Sequence, residues 1–199
     1  QQKMKSRIYN FSTNGVETSK LPFQEWAKLL RATVREDAGL FQHGEKAGDW
    51  CLRKSIRRLL FRTQNIKCKT EQIIIGPGYE DLLREIFNLF GSEKKVIMNN
   101  YYNYRARAAA IYMVNKIEYV TNDKNGINIE ELNNFDDGIL YQEPTHDLPM
   151  AVTLSEKKRK ALIDWAKEKE ERYIIEDASD NDFQYGENEK TLWELSNGK

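Results

Sequence analysis

The 199-residue sequence predicts an α/β fold, a mostly parallel sheet with helices on both faces. Three observations predict it. From residue 71 onward, short apolar runs that read as strands alternate with segments of helical periodicity. The spacing of these segments fits βαβ units. The length suits one sizeable domain with one hydrophobic core.

The elements follow in order. Residues 1–8 are polar and read as a linker remnant. A helical segment then covers about residues 21–63. In "LPFQEWAKLLRATV", Trp26, Leu29, Leu30 and Val34 recur at helical spacing. In "GDWCLRKSIRRLLFR", Leu52, Ile56, Leu59 and Leu60 repeat the pattern, with Asp49 as N-cap. The sheet portion covers about residues 71–199. "EQIIIGPG" reads as a strand closed by glycines. "YEDLLREIFNLF" is a helix with Leu82, Leu83, Ile86, Phe87 and Phe90 on one face. "KKVIM", "NKIEYVT", "GILYQEP" and "RYIIED" are strands. "YRARAAAIYMV", "NIEELNNF" and "SEKKRKALIDWAKEKEE" are the helices between them, the last capped by Ser155.

Composition narrows the partners. Lys and Arg number 31 and Asp and Glu 31, so no global charge marks a nucleic-acid or anionic-membrane binder. No apolar run is long enough for a membrane span, and no secretory leader is visible. Cys51 and Cys68 form no disulfide framework and no metal-ligand spacing. The chain reads as cytoplasmic, with both thiols reduced. Arg53, Lys54, Arg57, Arg58 and Arg62 form the solvated face of a helix, or a nucleic-acid contact.

In parallel sheets ligands bind beyond the carboxyl ends of the strands, and the chemistry-bearing residues fall there. Gly76 to Glu80 join a strand to a helix; free N–H groups at that helix start suit a phosphate, and a tight βα turn is the plainer alternative. Tyr101, Tyr102 and Tyr104 follow the next strand. They offer either a stacking surface for a flat ligand or an ordinary aromatic cluster. His146 stands between two prolines at a strand end, either as a ring contact or as a loop residue without a role. "RYIIEDASDNDF" delivers Glu176 and Asp177 at the end of the last strand.

Taken in this order, "GDWCLRKSIRRLLF", "IIIGPGYEDLL", "EPTHDLPMAVTLSEKKRKAL" and "IIEDASDNDFQYG" resemble the class I/II aminotransferase fold that binds pyridoxal 5'-phosphate (PLP). The likeness is strongest to the version found in MocR-type regulators of the GntR superfamily, and it runs from about residue 9 to residue 198. It implies a partial large domain of that fold, from an aminotransferase-like effector-binding domain of a transcriptional regulator. It also implies a homodimer, an amino-acid or amine effector, and DNA binding through a winged helix-turn-helix outside this chain. Two alternatives accompany it: a fragment of a free-standing PLP aminotransferase, and a degenerate dimerisation domain without PLP.

The resemblance assigns residues by position. Asp177 matches the carboxylate that pairs with the pyridine nitrogen of PLP, which keeps the ring cationic and electron-withdrawing. Gly78, Tyr79 and Glu80 match the residues that hold the phosphate. Asn103 falls at the stacking position, with Tyr102 or Tyr104 able to substitute after a one-residue shift, His146 falls beside the ring, and Ser179 where a tyrosine meets the cofactor phenolate. Glu80 replaces glutamine, and an anion there repels phosphate by about 4 kcal/mol at 4 Å and an effective dielectric of about 20. The resemblance places the lysine that would carry the cofactor beyond Lys199, so transamination is not expected of this chain alone. It also implies that residues 72–75 pair with strands after that lysine. They should then lie about 14 Å from the strand near Ile174, or pair with it directly.

Overall fold

A computed structural model describes residues 17–36, 38–99, 103–148, 150–182 and 189–198. The expected linker at residues 1–8 lies outside them. The chain forms two compact units, one ending at Gly44 and the other beginning at Glu45.

In the first unit the stripe of Trp26, Leu29, Leu30 and Val34 forms helix α1, Phe23–Glu36, in which no residue is buried. Phe23 packs edge-on against Trp26, with ring centroids 5.6 Å apart.

The second unit opens with α2, Trp50–Gln64. Asp49 caps it, its carboxylate accepting the Leu52 N–H at 2.8 Å. Asn65, left-handed at φ 51°, ends it. Next come α3 (Tyr79–Phe90), β1 (Val96–Asn99), α4 (Tyr104–Ala110) and β2 (Ile117–Val120). A two-stranded hairpin, β3 (Asn122–Asp123) and β4 (Gly126–Ile127), leads to α5 (Ile129–Leu132). Then follow β5 (Gly138–Gln142), α6 (Glu156–Lys167), β6 (Arg172–Glu176) and α7 (Leu192–Ser196). Ser155 caps α6 through the Lys158 N–H, as expected.

Strands β2, β1, β5 and β6 form one sheet in that order, and every pairing is parallel. Val96 sits opposite both Ile117 and Ile139, and Leu140 opposite Ile174. Side chains alternate across the sheet with period two. Val96, Met98, Ile139 and Tyr141 therefore pack on one face with Leu83 and Phe87 of α3 and the alanines of α4. Ile97 and Leu140 pack on the other with Leu132, Leu162, Trp165 and Leu192. Alternation continues at the strand ends, and it decides which polar residue faces which layer.

One expected strand does not form. Residues 72–75 pair with neither β1 nor β6; Thr70–Gln72 is a 3-10 turn, and the Ile75 N–H is bound by Ala47 O at 2.9 Å. Ile74 is 62% exposed. An apolar cavity of about 770 Å³, lined by Ile73, Phe90, Tyr173, Ile175 and Trp193 among others, lies between this segment and the outer edge of β6. An apolar run becomes a strand only when a neighbour supplies the ladder, and none is adjacent. Residues 72–75 therefore lie outside the ladders of the sheet, and the direct pairing with β6 does not occur. Gly76 belongs to packing rather than to a ligand, since a Cβ there would stand 2.4 Å from Leu82 Cδ2.

Candidate functional site

The carboxyl ends of β1, β5 and β6 meet the first turns of α3 and α4, and a chain of polar contacts joins them. The Tyr79 hydroxyl, in the first turn of α3, lies 2.6 Å from that of Tyr141 on β5. The Tyr141 hydroxyl lies 2.6 Å from Asp177 Oδ2 and 2.9 Å from Glu143 Oε1. Asn103 caps α4 by accepting the Arg105 N–H at 3.0 Å, and its amide donates to Glu143 at 2.8 Å. Ser179 donates to Asp177 Oδ1 from both its backbone N–H and its hydroxyl.

Glu80 enters from the side. Its two oxygens accept Arg105 Nε at 2.6 Å and Nη2 at 2.9 Å, and the same guanidinium stacks over the Tyr79 ring at 4.9 Å. These Arg105 hydrogen bonds hold the Glu80 carboxyl down to about 2. The anion expected to repel a phosphate is thus neutralised by a residue that sequence reading passed over.

Charge in the cluster follows from burial and hydrogen bonding. Burial pushes the Asp177 carboxyl up, but donors from Ser179 and Tyr141 outweigh it and hold the group below the ordinary range. Burial pushes Glu143 up, and the nearby Asp177 charge adds to that. Burial also raises both phenols, Tyr79 and Tyr141. Tyr141 has one hydrogen and two carboxylates within reach. The two acids compete for that one hydrogen, and the Tyr79 hydroxyl adjoins the same oxygen.

The expected residues divide. Asp177 and Ser179 are bonded directly, Tyr79 and Asn103 join them through Tyr141 and Glu143, and Glu80 joins through Arg105. Gly78 precedes Tyr79 with an extended backbone at φ 169°, and a Cβ there would meet nothing within 4 Å. It leaves the helix start open, but glycine is not required there. Tyr104 is 76% exposed, and Tyr101 and Tyr102 lie outside the described residues. His146 is half-buried at φ 58°, just before the turn closed by the Asp147–Val152 pairing. The residue in that turn with buried contacts is Asp147, whose carboxylate accepts from Asn99 at 2.8 and 2.9 Å and from Asn122 at 3.1 Å. Glu176 faces away from the cluster and caps α7 through the Leu192 and Trp193 N–H groups, at 2.9 and 3.2 Å.

Tyr141, Glu143 and Arg105 were missed. Tyr141 hides in an apolar strand, and Arg105 carries no motif. Glu143 carried the same signal as Asp177, an acid closing an apolar strand. Among the described residues no group of three His, Cys, Asp or Glu could hold a metal ion, and no helix is long and apolar enough to cross a membrane.

No family model matches the chain. Two curated relatives from Bacillus subtilis do. The uncharacterized HTH-type transcriptional regulator YdeL is 27% identical over 179 residues, which cover 88% of this chain and 38% of that protein. The uncharacterized HTH-type transcriptional regulator YhdI is 26% identical over the same shares. This chain spans well under half the length of either. Solved structures similar to it include an archaeal alanine:glyoxylate aminotransferase, with TM-score 0.79 and 22% identity over 89% of this chain and 46% of that one. Another is LysN, an α-aminoadipate aminotransferase from Thermus thermophilus complexed with N-(5'-phosphopyridoxyl)-L-leucine. It has TM-score 0.78 and 21% identity over 89% of this chain and 46% of that one. Over the part that it spans, the chain therefore has the aminotransferase fold, and its curated sequence relatives are HTH-type transcriptional regulators.

Proposed function

We propose that this chain is part of an aminotransferase-like, PLP-binding effector domain in a MocR-type transcriptional regulator. One observation carries the reading. An ionised acid at the end of β6, Asp177, is linked by hydrogen bonds through Tyr141 to Tyr79 at the start of α3. The two ends of a phosphorylated pyridine therefore have complementary partners in one site: a carboxylate for the ring nitrogen and a helix start for the phosphate.

The residues fit the group. Asp177 would hold the ring nitrogen, with Ser179 and Tyr141 keeping it ionised. The first turn of α3, from Gly78 to Glu80, would hold the phosphate, with Arg105 offsetting Glu80. Asn103, Tyr104 and His146 are the candidates around the ring. When bound, PLP supplies a cationic ring that draws electrons from an attached amino compound. In the parent protein this domain would sense PLP together with an amino acid or amine, as a homodimer in the cytoplasm. DNA would be contacted by another part of the protein. The regulator relatives favour this reading over a free-standing aminotransferase.

A second reading, a domain that keeps the fold without the cofactor, is favoured by one observation. Both Asp177 oxygens already have donors, so a pyridinium N–H has to compete with Tyr141 or share its acceptor. The test is DNA binding by the intact protein. PLP with a panel of amines should change its affinity for its own regulatory DNA, and PLP should bind saturably. Saturable binding with no effect on DNA would reject the sensor role, and no binding at all would favour the second reading.

A further inference from the structure

The basic face of α2 does not simply project into solvent. Arg57 and Arg58 line a cavity of about 570 Å³ together with Phe61, Lys67, Cys68 and Lys69. No carboxylate of the described residues lines it. Among the described residues, none of these four cations has an ion-pair partner. Arg53 on the same helix shows the contrast: it pairs with Glu45 and donates to the Gly48 carbonyl at 2.9 Å. Among the described residues, the buried Nε of Arg57 has no acceptor. The excess is local, because the whole sequence carries equal numbers of basic and acidic residues.

We propose that this cavity binds a phosphate-bearing anion. The planar guanidinium groups of Arg57 and Arg58 match phosphate oxygens in pairs, and Lys67 and Lys69 add point charges. Phe61, 52% exposed in the same wall, offers a face for the ring that carries the phosphate. The same chemistry comes from a free nucleotide or from a nucleic-acid strand. The proposal does not rest on the PLP reading, since it uses none of the residues assigned to that site.

Cys68 provides the test. It is a half-buried thiol in the cavity wall, and Cys51, exposed near the start of α2, serves as the internal reference. Alkylation of the intact protein, mapped by mass spectrometry, should slow at Cys68 and not at Cys51 when adenosine monophosphate or a short single-stranded oligonucleotide is added. Protection by the mononucleotide assigns the cavity to a free nucleotide, and protection by the strand alone assigns it to nucleic acid. Removing two cations, Arg57→Ala with Lys69→Ala, should weaken the protecting ligand by about tenfold or more. Lys54→Ala with Arg62→Ala removes equal charge from the same helix outside the cavity and should change it little. No protection at Cys68 by either probe overturns the proposal without any variant. Equal weakening by both pairs of substitutions overturns it as well, because the effect would then be general charge.

Discussion

Two carboxylate regions sit at the carboxyl end of the sheet, on opposite faces, and they are satisfied by different chemistry. On the α6 face, Asp147 is held by the amides of Asn99 and Asn122, and Glu176 by two backbone N–H groups of α7. On the α3 face, Glu143 and Asp177 converge on one phenol. Amide and backbone N–H groups give Asp147 and Glu176 donors of their own, although burial still raises both carboxyls. A phenol shared by two acids has one hydrogen for both. The first region locks the strand ends together, and in the second two acids compete for one phenol hydrogen. Alternation along β5 separates them, since Tyr141 and Gln142 point to opposite faces.

The largest effect should come from breaking the locked region. Asp147 is 3% exposed, and Asp147→Ala leaves the Asn99 and Asn122 amides without their acceptor. It should destabilise the fold by about 3 kcal/mol in denaturant unfolding. Tyr141→Phe should cost less, about 1–2 kcal/mol, because Ser179 still serves Asp177 and Asn103 still serves Glu143.

The pH dependence sharpens the contrast between the two acids that share Tyr141. Glu143 is raised in the folded protein. Its stabilising contribution is therefore present below the ordinary carboxylate range and is lost as pH rises through the folded value. Glu143→Gln, which mimics the protonated acid, should flatten that loss. Asp177 is lowered, so its contribution is present at neutral pH and is lost as pH falls through the folded value. Asp177→Asn should therefore destabilise at neutral pH and have little effect in acid. Unfolding measured across pH should give slopes of opposite sign for the two substitutions. The smallest effect belongs to Glu80→Gln, which breaks an exposed ion pair. It should leave stability nearly unchanged and strengthen phosphate affinity at the start of α3.

Much of this was legible in the sequence. The apolar runs around Val96, Ile117, Ile139 and Ile174 became the four strands of the sheet, because a short apolar run bounded by turn residues is a local signal. Residues 72–75 carried the same signal and failed, because strand formation depends on a neighbour that local composition does not reveal. The β3–β4 hairpin turns through Lys124 and Asn125 with Gly126 next to them, and Thr191 with Glu194 three residues on caps α7; neither was singled out in the sequence. In the site, Asp177 was found through its place at a strand end. Tyr141 and Arg105 were not, because their roles come from contacts across 36 and 25 residues of sequence, to Asp177 and Glu80.

The most direct measurement compares two neighbouring acids on opposite faces. PLP should be titrated into the intact protein carrying Asp177→Asn or Glu176→Gln. Asp177→Asn should weaken PLP by about tenfold or more, since a neutral amide cannot hold the ring cation. Glu176→Gln should lower stability through the loosened cap of α7 and leave PLP affinity unchanged. Unchanged affinity in Asp177→Asn, or equal loss in both, would contradict the assignment of the α3 face as the ligand site.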